Sequence, residues 1–92
     1  MPILEVCTGS LQSVINAVTG GAKRIELCSA LSLDGLTPSL GLIKIVRKMF
    51  PELTIHTLIR PREGDFFYNE EEIKVMEADI KEATGLSKIK TG

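Results

Sequence analysis

Neither sign of charge dominates this 92-residue chain: 11 Lys and Arg stand against 12 Asp and Glu, a formal net charge of -1. A nucleic-acid partner is excluded on that ground, because nucleic-acid binders mass their basic residues into a patch and the lysines here are scattered. No apolar run approaches the roughly 18 residues needed to span a bilayer, and the first residues lack the basic-then-apolar order of a secretory signal. No membrane partner is expected, and a cytoplasmic setting follows, with the nucleus also open to such a protein. Cysteine is scarce. The two present, Cys7 and Cys28, do not form a C-x-x-C pair, and without a secretory route they are expected to be reduced thiols, not a disulfide scaffold. The length allows one small domain, and 43% apolar with 25% charged residues is an ordinary globular balance that excludes disorder for most of the chain.

What is present is a repeated pattern. Ile3-Leu4-Glu5-Val6-Cys7 and Arg24-Ile25-Glu26-Leu27-Cys28 each alternate and each end in a cysteine, twenty-one positions apart. That separation holds one strand, one helix and two turns, enough for a crossover that returns parallel. Both thiols then arrive at the carboxyl end of a sheet, where α/β folds place their sites. The competing reading is that each is a buried structural thiol, since free cysteine is among the most buried residue types.

Between the strands, Ser10 is a candidate N-cap for a helix carrying Leu11, Val14, Ile15 and Val18, which Gly20-Gly21 stops. After the second strand comes a polar, glycine-containing stretch from Ser29 to Leu36. Thr37-Pro38 predicts a second helix start, and Leu42, Ile43, Val46, Met49 and Phe50 form its apolar face up to Pro51. Leu53 to Arg60 is rich in β-branched residues and reads as a third strand, closed by Pro61. Asn69 and Glu72 resemble a capping box for a third helix with Ile73, Met76, Ile80 and Ala83 as its buried stripe. The order is β-α-β-α-β-α with right-handed crossovers expected. Residues 1–84 form this unit, and 85–92 read as a divergent, basic tail too weak for a fourth strand.

Alternation assigns the strand faces. Glu5 and Cys7 share one face of the first strand, Arg24, Glu26 and Cys28 the same face of the second, and His56, Leu58 and Arg60 that of the third. A flat three-layer sandwich wants apolar residues on both faces of a parallel sheet. A polar inner face therefore favours a curved barrel wall.

The segments Leu4-Glu5-Val6-Cys7, Gly20 to Ser29, Gly35-Leu36-Thr37-Pro38-Ser39, and Ile59 to Phe66 with Tyr68 resemble the CutC copper-homeostasis family, whose fold is a TIM (β/α)8 barrel. The resemblance runs from residue 3 to about 83 and implies a partial barrel, its first three βα units, from a truncated or alternatively spliced member. About two-thirds of a barrel of roughly 250 residues would lie outside it. Three strands alone leave two edges and an inner face uncovered, which predicts aggregation, self-association through the edges or partial disorder.

The resemblance also implies copper, with Cys7 and Cys28 as its ligands. Copper(I) is soft and prefers thiolates, and a nearby Arg60 would help stabilise them. His56, the single histidine, is a third-ligand candidate, but it lies mid-strand and is read as structural. Glu5 and Glu26 are expected to pair with Arg24 and Arg60 inside the barrel. Arg60 and Arg62, with Asp65, lie in a loop where TIM-barrel enzymes bind substrate, and could grip a carboxylate or phosphate. Their alternative is pairing with Glu63 and Asp65. Phe66, Phe67 and Tyr68 are read as packing that loop. Three functions stay open: copper(I) homeostasis, an enzyme acting on a small anion, or a fragment with neither activity.

Overall fold

The computed structural model describes residues 5–91, so the part of the first strand expected at Ile3 and Leu4 lies outside the described residues. The elements are β1 (Glu5–Thr8), α1 (Leu11–Thr19), β2 (Arg24–Leu27), a 3-10 turn (Leu31–Leu33), α2 (Leu40–Met49), β3 (Thr54–Ile59), α3 (Glu70–Thr84) and β4 (Lys88–Thr91). The four strands form one parallel sheet in the order β1-β2-β3-β4.

Local chemistry accounts for most of the boundaries. Ser10 Oγ accepts from the Ser13 N–H at 3.1 Å while Ser13 Oγ accepts from the Ser10 N–H at 3.0 Å, a capping box with serine in the place of glutamate. Asn69 and Glu72 form the same reciprocal pair at the start of α3, whose first turn is Glu70, Glu71 and Glu72 against the positive helix end. The start of α2 departs from expectation. Ser39 is its cap, accepting from the Leu42 N–H at 3.1 Å. Thr37 is committed elsewhere, because its N–H and hydroxyl both bond the Arg60 carbonyl and its Oγ1 accepts from the Arg60 N–H at 2.7 Å.

A fourth strand is the other departure. Lys88–Thr91 pairs with β3 through His56↔Lys88, Thr57↔Ile89, Leu58↔Lys90 and Ile59↔Thr91, where the sequence showed only a basic tail. Its alternation is legible only beside β3: Ile89 packs on the core while Lys88 and Lys90 face the other way.

The core lies between the sheet's outer face and the helices. Ile25, Leu27 and Ile55 from the strands meet Val14 of α1, Ile43 and Val46 of α2, Leu53 and Ala83. α3 is held to the sheet at its C-terminal end: Ala83 is buried, Met76 and Ile80 are half-buried, and Ile73, expected in the stripe, is 45% exposed.

The opposite face is polar, as the alternation predicts, and its ion pairs reveal its shape. His56 Nδ1 on β3 donates to Glu5 Oε1 on β1 at 3.1 Å, and Lys90 Nζ on β4 donates to Glu26 Oε2 on β2 at 2.6 Å. Each pair skips the strand between, a gap of about 9.6 Å at the usual strand spacing. Side chains converge in this way on the inside of a concave wall, where alternate strands of a barrel contribute to the same layer.

Candidate functional site

Cys7 and Cys28 lie on the inner face at the carboxyl ends of β1 and β2. Cys7 is in register with Glu26 and is exposed, whereas Cys28, just past the end of β2, is fully buried. The Cys28 N–H bonds the Thr8 carbonyl at 3.0 Å, extending the β1–β2 ladder, and its thiol donates to the same oxygen at 3.4 Å. The two thiols are close enough to interact through their side chains. Burial, then the neighbouring Cys7 and Glu26, pushes the Cys28 thiol up to about 11. Burial and Glu26 also raise Cys7, with Lys90 pulling the other way. Both are therefore thiols at neutral pH. The expected help from Arg60 is not realised, since its guanidinium points its donors at loop carbonyls.

What buries Cys28 is the stretch Ser29 to Leu36. Ser29 and Leu36 close it by an antiparallel bridge, with N–H···O distances of 2.9 and 2.8 Å. Between them Ala30 and Asp34 take positive φ of 48° and 66°, and Gly35 takes +92°. A Cβ built on Gly35 would lie 2.9 Å from Leu58 Cδ2 and 3.7 Å from Cys28 Cβ, so glycine lets the lid lie flat on the thiol. Arg60 fastens it: Nη1 donates to the Leu33 carbonyl at 2.7 Å and the Gly35 carbonyl at 3.1 Å, while Nη2 reaches the Gly64 carbonyl at 2.9 Å. The residue is 5% exposed, forms no ion pair among the described residues, and its buried Nε has no partner. Phe66 covers the guanidinium, 5.1 Å from ring centroid to Cζ.

Arg62 is spent within its own loop. It bonds Glu72 through Nε, Asp65 Oδ1 at 3.1 Å, and the carbonyls of Glu63, Asp65 and Phe67, with the Tyr68 ring 5.2 Å from its Cζ. Backbone N–H donation from Phe67, then Arg62, holds the Asp65 carboxyl below its ordinary value, and donation from Asn69, then Arg62, does the same for Glu72. Glu72 was not anticipated as a partner, although its capping role places it beside the loop. Phe67 is 87% exposed, so it does not pack the loop as expected.

The inner-face pairing also differs from expectation. Glu5 takes His56 and Glu26 takes Lys90, leaving Arg24 and Arg60 unpaired with either glutamate. The partners skip a strand because the face is concave, which sequence spacing does not display. His56 is engaged by Glu5, and among the described residues no cluster of three or more His, Cys, Asp or Glu side chains is arranged to hold a metal ion. The sulfur donors near the strand ends are thus the Cys7 and Cys28 pair, and thiolate sulfur is the donor type suited to copper(I).

Residues 2–92 match the CutC family profile. The chain belongs to the CutC family. A CutC family protein of Vibrio cholerae is 50% identical over 80 residues, covering 87% of this chain and 31% of that protein. The copper homeostasis protein cutC homolog of Homo sapiens is 49% identical over 79 residues, covering 86% and 29%, and that of Caenorhabditis elegans is 47% identical over 78, covering 85% and 31%. A crystal structure of CutC from Streptococcus agalactiae superposes with a TM-score of 0.85 at 33% identity over 98% of this chain and 44% of that one. The CutC chain here thus spans about a third of the length of the curated relatives it matches. No described helix is long and apolar enough to cross a membrane.

Proposed function

We propose that this CutC chain serves copper homeostasis by binding copper(I) as cargo through Cys7 and Cys28. The observation that carries the reading is the placement of two interacting thiols at adjacent strand ends, one open to incoming metal and one enclosed under the Gly35 lid. Exposure at Cys7 gives an entry point, and the dry setting of Cys28 excludes water from the second ligand. Lys90 beside Glu26 offsets the carboxylate charge that opposes thiolate formation. Both thiols surrender their protons on ligation, so affinity rises with pH. Reduced thiols fit a cytoplasmic setting.

Anaerobic titration with copper(I) against a chromophoric chelator tests this. Cys7→Ser and Cys28→Ser are each expected to abolish tight binding, and the affinity of the unaltered chain should rise about a hundredfold per pH unit around neutrality, one decade per thiol. Unchanged affinity in either variant refutes the assignment.

A second reading, an enzyme site for a small anion, is favoured by one observation: Arg60 carries a buried positive charge with no carboxylate partner among the described residues and an unbonded Nε. Arg62 does not share in it, being saturated by Asp65 and Glu72. Inorganic phosphate or a small dicarboxylate would then raise the melting temperature while copper binding survives Cys-independent controls. No rise with either anion removes this reading.

A further inference from the structure

A metal ligand has to be reached, yet Cys28 is 0% exposed. What stands over it is a small flap. The Ser29–Leu36 bridge makes the neck of that flap, and Ser29 Oγ reinforces it by donating to the Thr37 carbonyl at 3.0 Å. Beyond the neck, the Leu31–Leu33 turn lies between Ala30 at φ 48° and Asp34 at φ 66°, the two non-glycine residues of positive φ among the described residues. A left-handed backbone is unfavourable for a residue with a Cβ, and such strain persists only where the surroundings enforce it.

The enforcing contact is Arg60. Its guanidinium bonds the Leu33 and Gly35 carbonyls, both in the flap, and its third bond, to the Gly64 carbonyl, ties it to the loop after β3. The flap's other rests are apolar. A Cβ on Gly9 would lie 2.9 Å from Leu31 Cδ1, and one on Gly35 the same distance from Leu58 Cδ2. A latch of charged hydrogen bonds thus holds down a segment whose own backbone is strained.

We propose that residues 30–35 form a gate with Arg60 as its latch, that the gate lifts as Ala30 and Asp34 relax, and that its opening sets how fast Cys28 is reached and so how fast copper(I) passes onto and off it. The copper part rests on the function proposed above. Metal captured at the exposed Cys7 waits for the flap to lift before the second sulfur can close on it, and reclosure shuts water out. Because the flap is closed both before loading and after it, the latch governs the speed of exchange in both directions.

The gate is read without metal in a Cys7→Ser background, where Cys28 is the one remaining cysteine, by the rate of its reaction with Ellman's reagent. Arg60→Lys keeps a cation but cannot span the carbonyls, and is expected to raise that rate about tenfold or more. Ala30→Gly removes strain from the closed flap and should lower the rate about fivefold. A variant that merely loosens the fold can only speed the reaction, so the slowing is diagnostic, and Ala30→Gly still tests the gate if Arg60→Lys fails to fold. With both cysteines present, stopped-flow transfer of copper(I) from a chromophoric chelator, and back to excess chelator, should change in the same direction as the Ellman's rate, loading and release by the same factor. Ellman's rates that are equal in all three chains overturn the gate. Copper transfer that ignores the variants while the Ellman's rates follow them also overturns it, because metal then enters past Cys7 without moving the flap. No tight copper binding by the unaltered chain, with Ellman's rates that do follow the variants, refutes the copper reading instead and upholds the gate over the thiol.

Discussion

Replacing Arg60 by methionine keeps the aliphatic stem and removes only the guanidinium, which isolates the clamp on the lid. Three carbonyls lose a charged donor: that of Gly35, in a fully buried bond of 3.1 Å, and those of Leu33 and Gly64, in partly buried bonds of 2.7 and 2.9 Å. A hydrogen bond to a charged group contributes about 1.5–3 kcal/mol when its partner is left unsatisfied. Counting the Gly35 bond in full and the other two at about half, since water can reach them, gives a loss of about 3–6 kcal/mol. A 92-residue domain has only about 5–14 kcal/mol of stability in total. Urea unfolding followed by circular dichroism should therefore show a much lower midpoint with an unchanged slope. Hydrogen exchange should accelerate first in residues 29–36. Arg60→Lys keeps a cation but has no fork to span three acceptors, so it should lose about half as much. Arg62→Met, at an exposed loop where solvent screens the ion pairs, should lose much less than Arg60→Met. A loss below about 1 kcal/mol for Arg60→Met would refute the clamp, showing that the carbonyls are as well served by water or that desolvating the guanidinium offsets its bonds.

Gly35→Ala should destabilise by about 1–2 kcal/mol from its positive φ, plus the displacement of Leu58, and should expose the Cys28 thiol to Ellman's reagent. In the unaltered protein iodoacetamide should modify Cys7 well before Cys28, an order read by peptide mass spectrometry; equal rates would mean the lid does not cover the thiol. Because the folded Cys28 thiol is raised from 9.0 to about 11, its contribution to stability is complete below pH 9 and lost as pH climbs through about 11, a decline that Cys28→Ser should flatten in thermal melts. Asp65 and Glu72 act in the opposite direction: lowered from 3.8 and 4.5, they stabilise the loop above those values and release it as pH falls below them, and Arg62→Gln should weaken that acid dependence.

Strand alternation makes the inner and outer faces legible in the sequence, because a period of two in Arg24 to Leu27 and Thr54 to Ile59 has one structural meaning. Ser10 and Asn69 were equally readable, since a cap and its reciprocal partner lie three residues apart in the chain. Thr37 misled because its hydroxyl answers a tertiary demand, the end of β3, that outweighs its local capping preference. β4 was hidden because lysine is uncommon in strands and a lone Lys-Ile-Lys acquires meaning only from its neighbour. The roles of Arg60 and Glu72 were out of reach for a related reason: backbone carbonyl acceptors carry no side-chain signature, and the loop that brings Arg62 to Glu72 closes over ten residues. The thiol pair was legible in position but not in chemistry, since burial under the Gly35 lid is what raises the Cys28 thiol above its ordinary value.

The two ion pairs that each leap over a strand interlock. One ties β1 to β3 across β2 and the other ties β2 to β4 across β3, so flattening the wall would stretch both at once. The apolar side of the wall drives it to form, and the charged side acts as a drawstring that keeps it bent.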